Sequence, residues 1–186
     1  MSLQPTSSQT SGPYVHIGFA WLVVDNLAAP GTAGERIAIE ARIVDGDGQP
    51  VNDAVVEIWQ ANAHGRYAHP DDTQDKPLDP SFKGFGRVFT DDRGRFRITT
   101  IKPGPVPGPA GTIQAPHLNV TILTRGLMKQ LVTRMYFAND PGNAADPVLA
   151  RVPQDRRDTL MATPVDGGYA WSVVLQGPGE TVFFEC

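Results

Sequence analysis

Arg36 to Val44 alternates charged with apolar residues at period two, the pattern of a strand buried on one face. Asp45-Gly46-Asp47-Gly48 then supplies turn chemistry before a second apolar run, Ala54 to Trp59, so the stretch reads as a hairpin. Arg87 to Thr90 and Phe96 to Ile101 flank the tight-turn sequence Asp91-Asp92-Arg93-Gly94 and read as a second hairpin. His117 to Thr124 and Leu131 to Phe137 make a further strand pair around Arg125-Gly126. Tyr169 to Gln176 and Thr181 to Glu185 close the chain around Gly177-Pro178-Gly179. Turn spacing of this kind predicts about six to nine strands. Pro153 to Ala162 is the one segment that suits a helix, short and peripheral. Between the strands, Ala61 to Gly86 loses periodicity and fills with Asn, His, Asp, Pro and Gly, and a Pro/Gly-rich connection runs from Pro103 to Gly111. A loop as long as the first usually carries function.

The 19 Gly and 17 Pro strengthen the all-β reading, and 186 residues at 40% hydrophobic content suffice for one domain with its own core. The expected architecture is a β-sandwich with long loops and little helix. A net charge of −4 without a basic cluster excludes a phosphate-backbone footprint and hence nucleic acid as a partner. Ile17 to Val24, the longest apolar stretch, is too short to cross a bilayer, and no basic segment leads into an apolar one at the amino end. The lone Cys186 closes no disulfide within the chain and has no activating neighbour, so a reducing, cytoplasmic setting is expected. Residues 1–13 are rich in Ser, Thr and Pro, yet Gly12-Pro13-Tyr14-Val15-His16-Ile17-Gly18 turns abruptly apolar and aromatic. We read residues 1–35 as a docking arm and 36–186 as the sandwich domain. Trp21, Trp59 and Trp171 are expected in the core or an interface, and Asp91 and Asp92 as turn formers. No phosphate-binding glycine loop or nucleophilic serine setting is present.

Four stretches occur together and in order: Trp59-Gln60-Ala61-Asn62-Ala63-x-Gly65-Arg66-Tyr67, Asp79-Pro80-x-Phe82-x-Gly84-x-Gly86-Arg87, Thr90-Asp91-x-x-Gly94 and Thr100-Ile101-Lys102-Pro103-Gly104-Pro105. With Ala115-Pro116-His117-Leu118-Asn119, they resemble the framework of the intradiol ring-cleaving dioxygenases, and the likeness runs over most of the chain. The resemblance implies a sandwich that holds ferric iron between two tyrosinates and two histidines. Ferric iron is hard and favours anionic oxygen, so two phenolates and a hydroxide offset its charge in a buried site. A chelated catechol dianion is then opened by dioxygen between its hydroxyl-bearing carbons.

The implied ligand positions are Tyr67, Val106, His117 and Asn119. Valine has no donor atom and a carboxamide is a poor substitute for imidazole, so two of the four are lost. An arginine that family members carry three residues before the first histidine is Gln114 here. No catalytic residue and no metal are therefore expected in this chain. His64 and His69 flank Tyr67 and could complete a shell only if the loop swung inward; surface positions are the simpler expectation.

Some members of the family combine two homologous chain types, an Fe(III)-bearing β type and an iron-free α type, and this chain resembles the α type. The resemblance implies a hetero-oligomer of α and β chains that opens protocatechuate with O2 to 3-carboxy-cis,cis-muconate. It also implies that the amino-terminal segment reaches into the partner's active site. Gly12, Pro13 and Tyr14, with Thr10 less central, are the implied substrate-facing residues. Glycine admits close approach to a flat ring, proline fixes the path, and tyrosine offers a stacking face with a polar tip. Arg125 is the implied partner of the substrate carboxylate. Arg134 and Tyr136 alternate with Met135 and Phe137, so one pair faces the core and the other a second face. Two other readings compete: a self-sufficient dioxygenase for another catechol with an altered metal shell, and a sandwich module that holds a small ligand without catalysis.

Overall fold

The structure, a computed structural model, describes residues 4–185, so Cys186 lies outside the described residues. Eight strands form one sheet that folds back on itself. They are β1 (Arg36–Val44), β2 (Val55–Trp59), β3 (Phe85–Phe89), β4 (Arg95–Ile101), β7 (His117–Leu123), β8 (Leu131–Phe137), β9 (Met161–Val165) and β10 (Gly168–Val174). Two short strands, β5 (Val106–Pro107) and β6 (Ile113–Gln114), pair apart from it. The order is β3-β2-β7-β8-β9-β10-β1-β4, and β8 meets β9 through only Tyr136↔Met161 and Phe137↔Ala162. One layer is therefore β3, β2, β7 and β8, the other β9, β10, β1 and β4.

Alternation explains the packing. Ile37, Ile39, Ala41 and Ile43 of β1 point inward while Arg36, Glu40 and Arg42 stay exposed. Leu118, Val120 and Ile122 of β7 meet them with Ile58, Ile98, Met135, Phe137 and Val173 to make the core. Burial of this apolar surface is the main stabilising term of the sandwich.

Three of the predicted connections turn out differently. The Asp45–Gly48 turn forms, with the Asp45 carboxylate accepting from the backbone of Asp47 and Gln49, but it closes only the stub Val44↔Pro50. Both edges of β1 are already taken, by β4 and β10, so the chain crosses to the other layer and β2 pairs with β3 and β7. The Asp91–Gly94 turn is equally well made, with Asp91 Oδ1 accepting from Arg93 and Arg95 nitrogens at 2.9 and 2.8 Å. It carries the chain between layers rather than closing a hairpin, since β3 pairs with β2 and β4 with β1. At the carboxyl end, Thr181 still bonds to Val174, but Phe184 bridges to Val132 of β8. Turn chemistry marks where a chain reverses; which strand it then joins depends on edges left open elsewhere. The β7–β8 hairpin stands as predicted.

Helix is scarce. Gln154–Leu160 is a 3-10 helix inside the stretch predicted helical, and Met161 and Ala162 beyond it belong to β9. The amino-terminal arm holds a helix that the sequence reading lacked, α1 (Gly12–Phe19), with Pro13 in its first turn. Further along, Val24 bridges to Arg87 and Asn26 to Thr99, and Leu27 and Ala28 join the core. Among the described residues no helix is long and apolar enough to cross a membrane.

Candidate functional site

The outer face of the first layer carries the chemistry. Cross-strand partners on a sheet share a face, and the register sets Trp59 of β2 beside Asn119 of β7 and Asn119 beside Arg134 of β8, with His117 beside Tyr136 one step along. Over this row lie the long loop, which brings Tyr67, and the β5–β6 ribbon, which brings Val106 and Gln114. Together they enclose a cavity of about 440 Å³ whose lining includes Trp59, Tyr67, Val106, Gln114, His117 and Arg134. Tyr67, Val106 and His117 thus converge on one cavity, and Asn119 joins them by donating from Nδ2 to the Tyr67 hydroxyl at 3.1 Å and to the Trp59 carbonyl at 3.3 Å.

The loop is held by residues of the family framework together with Lys76. Asn62 Oδ1 accepts from the backbone of His64 and Arg66 at 2.9 and 3.0 Å, and its Nδ2 donates to Pro77. Lys76 Nζ ties Gly65 to Pro105 through their carbonyls at 3.3 and 3.0 Å. Gly65 adopts φ +77, and a Cβ there would overlap the Pro105 carbonyl. Only glycine lets the segment bearing Tyr67 lie this close to the one bearing Val106. Below them Gln60, fully buried, accepts from Thr100 at 2.7 Å and donates to the Ile101 carbonyl at 3.0 Å. These matched residues do structural work that needs no metal.

The donor set does not suit ferric iron. Burial pushes the Tyr67 phenol up, outweighing the Asn119 hydrogen bond and the charge of Arg134, which adds to the cost of ionising it as a metal ligand. His117 gives its Nδ1 proton to the Ala115 carbonyl at 2.7 Å. Burial first, then the Arg134 charge, pulls its pKa down to about 4, leaving a neutral imidazole. Beside these two the site holds an isopropyl group, a carboxamide and a guanidinium, and the carboxylates at its rim are turned away, Asp72 to the backbone of Tyr67 and Gln74 and Asp71 to solvent, where a trivalent cation requires anions in contact. His64 is exposed; His69 lies at the cavity rim, its Nδ1 accepting from the Asp71 nitrogen at 3.2 Å. Among the described residues no three His, Cys, Asp or Glu side chains form a metal-binding group.

The sequence reading left the sense of Arg134 and Tyr136 open and missed Asp146. In the structure Met135 and Phe137 face the core, while Arg134 faces the cavity and Tyr136 a second apolar cluster with Leu149 and Leu160. Arg134 Nη1 donates to Gln114 Oε1 at 2.6 Å and to the Tyr136 hydroxyl at 3.3 Å. Burial, offset only in part by Arg134, leaves the Tyr136 phenol pushed up to about 12. That hydroxyl donates on to Asp146 at 3.3 Å, and Asp146 also accepts from the backbone nitrogens of Ala115, Val148 and Leu149, each at 2.8 Å. Nothing in the run Asn143-Ala144-Ala145-Asp146-Pro147 distinguishes this carboxylate from a turn residue; only the fold shows that it braces the entry to β7.

His117 makes stability pH-dependent. Its folded pKa lies below the ordinary histidine value of 6.5, so the unfolded chain binds more protons and stability falls as pH drops from 6.5 towards 4. Between pH 7.5 and 4.5 the loss is expected to be about 2.5 kcal/mol. His117→Gln should remove that component of the pH dependence in urea titrations; an unchanged slope would rule out a buried neutral imidazole as its source.

A second hollow, of about 220 Å³, brings together Gly12, Pro13, His16, Ile17, Asp53 and Arg125. Thr10 Oγ1 accepts from the Gly126 nitrogen at 3.0 Å, and His16 packs on Phe89 with ring centroids 4.4 Å apart. Arg125 is exposed and paired through Nε with Asp53, which also accepts from Thr124 at 2.6 Å. Burial works against ionisation of Asp53, yet the bonds from Thr124 and Arg125 outweigh it and keep its pKa low. Tyr14 is not in this hollow: it points out at 80% exposure, with Ile17 at 70% and Trp21 at 79%. Of the three tryptophans, Trp171 is in the core, Trp59 lines the cavity stacked on Tyr67 at 5.8 Å, and Trp21 is bare.

A family model described as Dioxygenase matches residues 22–177. The chain is 41% identical to the protocatechuate 3,4-dioxygenase alpha chain of Pseudomonas putida, over 98% of this chain and 97% of the relative. It is also 42% identical to the protocatechuate 3,4-dioxygenase beta chain of Burkholderia cepacia, over 80% of this chain and 67% of that one. Among solved structures, 3-chlorocatechol 1,2-dioxygenase from Rhodococcus opacus 1CP matches 94% of this chain and 69% of its own with a TM-score of 0.64 and 22% identity, a likeness of fold.

Proposed function

We infer that this chain, which belongs to the intradiol dioxygenase family and is similar to protocatechuate 3,4-dioxygenase alpha chains along nearly its whole length, is the iron-free member of an αβ enzyme. Its partner is a homologous Fe(III)-bearing β chain, and the pair opens protocatechuate with O2 to 3-carboxy-cis,cis-muconate. One observation carries the reading: the framework is kept throughout while Val106 and Asn119 occupy two of the four ligand positions. A duplicated chain that loses its metal is retained where it still buries a surface against its sister and lends residues to the sister's pocket. Similarity to both chain types fits that history.

The arm is the surface offered. Tyr14, Ile17 and Trp21 are exposed large apolar groups close in sequence, and burying them against a partner is favourable. In this reading the exposed part of the arm docks on the β chain, while Leu27 and Ala28 at its end stay in this chain's own core; Gly12, Pro13 and Tyr14 edge the partner's substrate, and Arg125 faces the substrate carboxylate. Asp53 engages Arg125 Nε, and both Nη groups remain for a ligand. A self-sufficient dioxygenase is disfavoured by the missing anionic donors.

Expressed alone, the chain is expected to purify colourless and inert towards protocatechuate; coexpressed with a β-type partner, it should yield iron, colour and oxygen uptake. In that complex Arg125→Ala should raise KM for protocatechuate about fivefold more than for catechol, a loss of about 1 kcal/mol for one exposed charge contact. Iron and turnover in the lone chain would overturn the proposal, and equal KM effects on the two substrates would remove Arg125 from it.

A further inference from the structure

Arg134 is a half-buried cation whose protein contacts leave it unmatched. Its Nη1 bonds only to the neutral oxygens of Gln114 and Tyr136, and no carboxylate lies within ion-pairing distance among the described residues. Asp146 is reached through the Tyr136 hydroxyl alone, and its oxygens already serve three backbone nitrogens. Nε and Nη2 make no hydrogen bond to described residues and are not buried, on a side chain that lines the cavity. A fork of two free N–H donors in a partly desolvated cleft suits a carboxylate.

The rest of the cavity adds shape. Trp59 and Tyr67 are stacked 16° from parallel and form an aromatic wall, with Val106 and Pro107 supplying apolar lining. The Tyr67 hydroxyl accepts from Asn119 and keeps its own proton to donate, while His117, its Nδ1 spent on Ala115, keeps Nε2 as an acceptor. The two acidic residues at the mouth do not cancel the cation. Asp72 is turned to the backbone of Tyr67 and Gln74, and Asp71 is solvated at 92% side-chain exposure.

We propose that this cavity binds a planar aromatic monocarboxylate in the chain itself, the carboxylate on the Arg134 fork and the ring against Trp59 and Tyr67. A ring hydroxyl, where present, meets Tyr67 and His117. The site is separate from the arm and Arg125, and it stands whether or not the chain serves a β partner.

The test is calorimetric titration of the full chain, without partner, with benzoate, 4-hydroxybenzoate, phenol and inorganic phosphate. Both carboxylates should bind one per chain, at least tenfold more tightly than phenol or phosphate, and quench tryptophan fluorescence. Arg134→Gln should weaken the carboxylates at least tenfold and phenol less than twofold, with Arg134→Lys intermediate because it keeps charge without the fork. Tyr67→Phe, which removes only a hydroxyl, should weaken 4-hydroxybenzoate and spare benzoate. In an αβ complex, the 4-hydroxybenzoate bound per pair should fall from two to one with Arg134→Gln. Phosphate binding as well as benzoate, loss of binding on Arg125→Ala instead of Arg134→Gln, or no carboxylate binding at all would each overturn the proposal.

Discussion

Asp146→Ala is expected to destabilise the fold by about 4 kcal/mol, a far larger effect than its place in a Pro-rich turn suggests. The side chain is 1% exposed and collects three backbone N–H groups and the Tyr136 hydroxyl. Alanine would leave those donors buried without acceptors, at about 1–3 kcal/mol for each group that water cannot reach. The damage would extend to the site, because the Ala115 segment that Asp146 anchors also receives the His117 Nδ1 proton. Asp146→Asn keeps one acceptor oxygen but points an amide at backbone donors, and about half the loss should persist. Urea unfolding checks both; a loss under 1 kcal/mol for alanine would show that the carboxylate is not the brace.

The second large effect is a gain. Val106→Tyr with Asn119→His restores a phenol and an imidazole to a cavity of about 440 Å³ that already holds Tyr67 and His117. The double variant should still take up iron poorly, because Arg134 places a fixed positive charge in the same space and ferric iron would meet it at low effective dielectric. Adding Arg134→Gln should improve Fe(III) binding at least tenfold and bring out the purple-red absorption of tyrosinate bound to iron. Iron titrations followed by visible absorption decide the matter. Equal binding by the double and triple variants would mean that the guanidinium does not oppose the metal, and no binding by the triple would mean that the framework has shifted beyond repair.

The fold class and most strand positions were legible in the sequence because inward and outward residues alternate so cleanly, as in Ile37, Ile39, Ala41 and Ile43. Strand partners were not. The turns at Asp45 and Asp91 are as well formed as any hairpin turn, yet each hands the chain to the opposite layer, a choice made by edges that other strands have filled. Gly12–Phe19 escaped notice because its residues show no apolar stripe and none is buried, so nothing in their periodicity signals a helix. Tyr67, Val106, His117 and Asn119 were found through the order of the framework, and the cavity gathers them. Arg134 and Asp146 were hidden for a different reason. Their importance lies in cross-strand register and in bonds to backbone nitrogens, which no local pattern of residue types encodes.

A bound ion usually fastens together the segments that supply its ligands, so losing it should slacken the loop it held. Here the clasp between the Gly65 and Pro105 segments, closed by Lys76 and by the Asn62 carbonyl, which accepts from the Gly65 and Gly104 nitrogens, is made entirely of protein. Such a loop can lose its ligand chemistry and keep its course, because these contacts hold it without an ion.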